Sequence, residues 1–195
     1  RLRDEGHTSM PFRHDVRAVT VPGCVDGWVA LHARFGTMPL GDLLAPAIAL
    51  AADGFDASPL LTYSVSRLDD GGRRNLAVLA DQATQAGATV RLPGVARTLR
   101  AVAADGRAAF YEGEFGAGLR DLGAGWFSSD DVVRSQAEWV DGLSTDAFGV
   151  TLHTIPPNSQ GYLTLAAARL ATAFGLPVDP DAAAWAHGLV ECAKQ

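Results

Sequence analysis

Apolar residues in this chain recur every three or four positions in one segment after another, and most such segments end at glycine or proline. A stripe at helical period buries one face only, so the pattern calls for short amphipathic helices sharing cores. Val25, Trp28, Val29, Leu31, His32 and Phe35 form one stripe after the Val21-Pro22-Gly23 turn, closed by Gly36. Asp26 stands early in it, at the positive end of the helix dipole. Leu40, Leu44, Ile48 and Ala51 form a second, stopped at Gly54. Pro46 falls inside it and either kinks one helix or opens another, because it lacks the N–H that an interior position donates.

The same punctuation continues. Ser58-Pro59 is an N-cap and first-turn pair before Leu60, Leu61 and Val65. Residues 69–74 read as a glycine-rich loop, 76–86 as a weak helix, 93–104 as a helix ending at Asp105-Gly106, and 108–122 as an apolar but glycine-weakened helix. Ser129 with Asp130 reads as the cap of a short helix through Val132 and Val133. The period changes only near 136–155. There, residues 136–143 and 148–155 read as two strands joined by the polar turn Ser144-Thr145-Asp146, with Phe148, Val150, Leu152 and Thr154 alternating against Gly149, Thr151 and His153. Gly161 to Phe174 is an Ala/Leu-rich helix, and Asp179-Pro180 opens a last one carrying Trp185, Leu189 and Cys192. The fold class is therefore α+β and mostly helical, with one strand pair.

Composition excludes several functions. The 195 residues carry 16 Lys+Arg against 22 Asp+Glu, a net charge of −6, which is the wrong balance for a nucleic-acid or anionic-membrane surface. No apolar run approaches the ~20 residues that span a bilayer. Cys24 and Cys192 are too few and too distant for a disulfide framework, a zinc knuckle or a CxxC motif. The chain starts at Arg1 without Met and stops at Gln195 inside a helical pattern, so residues 1–195 read as a single partial domain with two open ends.

No GxSxG elbow, phosphate loop or HExxH helix occurs. Gly123-Ala124-Gly125 lacks both the third glycine and the preceding strand of a dinucleotide fingerprint. Cys24 begins a helix, where N–H dipoles lower a thiol pKa, but its nearest base, His32, is two turns away; it reads as a small, partly buried residue. His7 and His14 lack a third ligand, so no metal site is expected. His153 and His187 read as structural, and Asp130-Asp131 as helix capping. Ile155-Pro156-Pro157-Asn158-Ser159-Gln160-Gly161 is the stretch that demands a special backbone. Its amides and the helix N-terminus behind it suit an anion or carboxylate; a plain strand-to-helix connection with Ser159 as N-cap fits equally well.

Several short motifs stand in one order: Val21-Pro22-Gly23-Cys24-Val25-Asp26-Gly27, Phe35-Gly36-Thr37-Met38-Pro39-Leu40, Ala45-Pro46-Ala47-Ile48, and Ala51-Ala52-Asp53-Gly54-Phe55. Gly106 to Gly113, Trp126 to Asp131, Pro156 to Gly161 and His187 to Lys194 follow. Together they resemble the large subunit of the γ-glutamyltranspeptidase family. The resemblance implies part of an N-terminal-nucleophile hydrolase, an αββα sandwich made by a self-cleaving precursor. A new N-terminal threonine there attacks γ-glutamyl amides such as glutathione and passes the acyl group to water or an amino acid, its own α-amine serving as base. It implies no metal and no organic cofactor. Its partners would be the rest of the precursor, namely the small subunit and an N-terminal segment, and a small γ-glutamyl substrate.

No catalytic residue of the family falls on a position of this chain, which is therefore expected to be inactive alone. Only Pro156, Pro157, Asn158, Ser159, Gln160 and Gly161 occupy a conspicuous family motif, PPPSSGG. Asn158 stands for its third proline and Gln160 for its first glycine, and Cys24 replaces a usual threonine. These departures leave open an acylase or amidohydrolase of the same fold acting on a non-glutamyl amide. A helical binding or scaffold module without chemistry is the competing class.

Overall fold

A computed structural model describes residues 2–11 and 15–194. The chain divides into two compact units, Arg1–Ala137 and Glu138–Gln195.

The first unit is helical. After a 3-10 turn at Val16–Ala18 come α1 (Cys24–Phe35), α2 (Leu40–Asp53), α3 (Pro59–Ser66), α4 (Asp70–Asn75), α5 (Ala77–Ala80), α6 (Pro93–Tyr111), α7 (Glu114–Leu122) and α8 (Ser129–Val133). The apolar stripes converge as their spacing predicts. α6 is the central element, packed against α1, α2, α7 and α8. Val25, Val102, Tyr111, Leu119 and Val132 form its core, with Leu40, Leu44, Phe110 and Phe115 around them. Each such side chain, fully buried, contributes about 1.5–3 kcal/mol. A second cluster, Ala57, Val65, Ala80, Ala83 and Val90, sits beside two short strands, β1 (Phe55–Asp56) and β2 (Thr89–Val90), which pair antiparallel.

Several local expectations change. Pro46 lies inside one continuous helix and opens no second one. Residues 70–75 are helical because the Asp69 carboxylate accepts from the Gly72 N–H at 2.8 Å and caps them. The helix expected over 76–86 shrinks to Ala77–Ala80. α6 is broken at Gly106, whose φ of 63° and ψ of −137° are non-helical. Two helical stretches thus meet at a kink where Asp105-Gly106 is expected to end the first. The helix expected over 108–122 is in turn divided at Glu112 and Gly113. Ser128, not Ser129, caps α8: its Oγ accepts from the Asp131 N–H, while the Asp131 carboxylate accepts from the Ser128 N–H.

The second unit holds β3 (Leu143–Ala147), β4 (Val150–Thr154), α9 (Gly161–Phe174) and α10 (Ala183–Ala193). The strand pair exists, but its turn lies elsewhere. Ser144, Thr145 and Asp146 are within β3, opposite His153, Leu152 and Thr151, and residues 136–142 are not strand. The chain reverses at Phe148-Gly149, with φ of 55° and 78°. Positive φ at both central residues defines the turn whose twist matches that of a hairpin, and glycine at the second position makes it accessible. Polarity pointed to the wrong residues; backbone freedom decided. Gly149→Val would force a β-branched residue to positive φ, and a loss of about 2 kcal/mol is expected, read as a lower urea midpoint. α10 begins at Ala183 rather than at Asp179-Pro180, whose carboxylate accepts from the Asp181 N–H in a turn before it.

Candidate functional site

The segment after β4 has the layout its prolines dictate. Pro156 and Pro157 have no N–H to extend a ladder, so pairing stops at Thr154. Ser159 is not the helix cap: its Oγ accepts from the Gly161 N–H at 3.1 Å, two residues on, and Gln160 takes the N-cap position without a side-chain bond. Gly161 sits so close to β4 that a Cβ there would come within 1.8 Å of the Thr154 Oγ1, so strand and helix meet only with glycine at this point. The exposed side chains of Asn158 and Gln160 flank the half-buried Ser159 at the N-terminal end of α9. The result is a corner with amide groups beside a helix N-terminus, suited to a carboxylate or a carbonyl oxygen.

A second constellation lies in the first unit and escaped the sequence reading. Asp26, almost fully buried on α1, accepts from the Arg107 Nε at 2.5 Å and from the Gln136 N–H at 2.5 Å. The Arg107 Nη2 donates to the carbonyls of Val132 and Arg134, at 3.0 and 2.6 Å. The guanidinium lies 4.5 Å from the centre of the Tyr111 ring. The Tyr111 hydroxyl donates to the Pro22 carbonyl and accepts from the Asp26 N–H. Burial pushes this phenol above tyrosine's ordinary pKa. Among the described residues no buried side-chain polar atom lacks a partner. A fully satisfied network of this kind ties three distant segments together, which is an architectural role. Asp26 was legible only as a helix-dipole residue, because its partner lies 81 positions away.

The remaining candidates do not converge. Cys24 is exposed and Cys192 buried. The ring of His32 is engaged with the Met38 carbonyl at 2.7 Å. His7 lies 3.3 Å from Arg17, whose guanidinium and backbone N–H together hold the Asp15 carboxyl down to about 2. His14 lies outside the described residues. His153 is exposed opposite Ser144, and His187 is exposed on α10. Asp131 serves the α8 cap, and bonds from Ser128 lower its pKa. Gly123 to Gly125 form the turn that closes α7. Among the described residues, no three His, Cys, Asp or Glu come together as a group able to hold a metal ion.

Comparison with known proteins decides what this arrangement belongs to. The profile of the γ-glutamyltranspeptidase family matches residues 2–195. The chain belongs to that family. It is 29 % identical over 208 residues to the glutathione hydrolase-like YwrD proenzyme of Bacillus subtilis, covering 98 % of this chain and 38 % of the relative. It is 34 % identical to glutathione hydrolase 3 of Arabidopsis thaliana, over 72 % of this chain and 23 % of the plant protein. The acylase ACY 1 proenzyme of a Pseudomonas strain is 31 % identical over 77 % of the chain and 28 % of its own length.

Among solved structures, the cephalosporin acylase of Bacillus halodurans superposes with a TM-score of 0.85 at 28 % identity, over 99 % of this chain and 38 % of that one. The Bacillus anthracis transpeptidase CapD gives 0.78 at 25 % identity, over 96 % of this chain and 65 % of that one. The fold is thus the mostly helical α+β part of an N-terminal-nucleophile hydrolase. This γ-glutamyltranspeptidase-family chain spans less than half the length of these curated relatives.

Proposed function

We propose that this chain is part of an enzyme that hydrolyses or transfers γ-glutamyl or closely related amides, using an N-terminal threonine supplied from outside residues 1–195. The match of residues 2–195 to the family carries this reading. Residues 1–195 alone are then inactive, and the rest of the precursor is their partner. In the assembled enzyme, the corner formed by Pro156, Pro157, Asn158, Ser159, Gln160 and Gly161 lies near the site and positions substrate through its amides.

An acylase acting on an amide without the glutamyl α-amino group is the second reading. It is favoured by Asn158 and Gln160 at two positions of the PPPSSGG motif and by the 0.85 superposition on a cephalosporin acylase. The parent enzyme, assayed with γ-glutamyl-p-nitroanilide and with glutaryl-p-nitroanilide, separates the two, because these substrates differ only in the α-amino group. Preference for the first supports a γ-glutamyl enzyme and preference for the second an acylase; turnover of neither sinks both. Turnover by residues 1–195 alone would end the claim that the nucleophile lies outside them. Asn158→Ala and Gln160→Ala are each expected to lower kcat/KM of the parent about tenfold, the worth of one hydrogen bond to substrate, with an unchanged urea midpoint.

A further inference from the structure

Asp-Gly steps occur at Asp26-Gly27, Asp53-Gly54, Asp70-Gly71, Asp105-Gly106 and Asp141-Gly142. Such a step can modify itself. The glycine nitrogen attacks the aspartyl side-chain carboxyl carbon. A C–N bond forms, the carboxyl C–OH bond breaks, and the hydroxyl leaves as water with the proton of the nitrogen. The resulting succinimide then takes up water. Opening at the side-chain carbonyl restores aspartate, whereas opening at the main-chain carbonyl leaves isoaspartate, with the chain running through the side chain. Glycine favours the attack because no Cβ crowds its nitrogen and its backbone turns freely.

Backbone conformation decides which step reacts. Ring closure needs a torsion at the aspartate far from the helical one, and a glycine nitrogen that is not pinned in a helical hydrogen bond. Asp26 and Gly27 lie in α1, where Arg107 and the Gln136 N–H hold the Asp26 carboxylate and the Gly27 N–H donates to the Gly23 carbonyl at 3.0 Å. Asp53 ends α2, and the Gly54 N–H donates to the Leu50 carbonyl at 3.0 Å. Asp70-Gly71 lies in α4, whose first turn is capped by Asp69. Asp105 stands one residue before the α6 kink and keeps helical angles, because Gly106 alone departs from them. Asp141-Gly142 differs from all of these. It lies outside every helix and strand, and both of its residues are exposed.

We propose that Asp141-Gly142 is a site of spontaneous backbone isomerisation, the Asp-Gly step that the fold leaves open to succinimide formation. The reaction needs no co-reactant but water, and it holds whichever amide the parent enzyme cleaves. Its product puts an extra carbon into the main chain immediately before β3, next to Leu143, which pairs with Thr154. The former main-chain carbonyl carbon becomes a free carboxylate there.

Ageing the full-length parent for several weeks at neutral pH and physiological temperature tests this. Folded and urea-unfolded samples are digested and mapped by mass spectrometry with electron-transfer fragmentation, which tells isoaspartate from aspartate at each position. In the folded parent, isoaspartate at Asp141 should exceed that at each of Asp26, Asp53, Asp70 and Asp105 by at least roughly tenfold. In the unfolded parent that preference should shrink to less than about threefold, because an open chain protects none of the steps. In Gly142→Ala, the added Cβ lies 3.4 Å from the Thr154 carbonyl oxygen and is accommodated. That variant should form isoaspartate at Asp141 at least about tenfold more slowly than the natural protein. Formation at Asp141 no faster than at the helical steps of the folded parent overturns the proposal. So does a preference for Asp141 that persists undiminished in urea, or a rate unchanged in Gly142→Ala.

Discussion

Arg107→Ala is expected to cost about 3–5 kcal/mol of folding free energy, measured as a lower urea midpoint at unchanged slope. The side chain of Asp26 is 2 % exposed and that of Arg107 is 21 % exposed, so water can do little to replace the lost cation. Truncation leaves the carboxylate with the Gln136 N–H as its one remaining partner in the network described, and takes a donor from the carbonyls of Val132 and Arg134. Much of the expected loss is the cost of that uncompensated buried charge rather than the net worth of the ion pair. The double variant Asp26→Leu with Arg107→Met removes both charges and keeps volume. It is expected to lose clearly less than the two single changes summed. A loss below about 1 kcal/mol for Arg107→Ala would mean that the pair is screened as a surface contact is, and would defeat the argument.

Tyr111→Ala is the second large effect, also about 3–5 kcal/mol. Tyr111 is fully buried, edge-on to Phe110 with ring centres 5.0 Å apart, and stands beneath the Arg107 guanidinium. Alanine leaves a cavity at the centre of the main core and removes the hydroxyl that holds the Pro22 carbonyl. Tyr111→Phe isolates the hydroxyl and is expected to cost about 1–1.5 kcal/mol. The phenol also sets a pH limit. Its native pKa is raised, chiefly by burial, above the value of about 10 in the unfolded chain. The folded form therefore holds this proton more tightly. Stability from this group is complete below pH 10 and is lost as pH rises through the native pKa. Urea midpoints above pH 10 should fall less steeply for Tyr111→Phe than for the natural protein; identical slopes would show that Tyr111 does not control that limb.

Helices were legible where one stripe met one stop. α1 ends at Gly36, α2 at Gly54 and α9 at Gly175, as their spacing and glycines predict, because a helix end is written in adjacent residues. Elements governed by competing local bonds were misread. Asp69 turned an apparent glycine loop into a helix by capping it, and Phe148-Gly149 took the hairpin turn from the more polar Ser144-Thr145-Asp146. The Pro156 to Gly161 corner was visible in composition. Its geometry, with Ser159 bonded to the Gly161 N–H and Gly161 against Thr154, required strand and helix to be placed together.

By itself the sequence determined the helical majority, the single longer hairpin and, through the order of its motifs, the family. These depend on neighbours within a few residues or on the succession of short strings. Only the tertiary structure decided that Asp26, Arg107 and Tyr111 form one network and that the α1–α2 stripe has a side left uncovered among the described residues. Partners 81 residues apart leave no periodic trace, and an apolar stripe looks the same whether its cover lies inside the chain or beyond it.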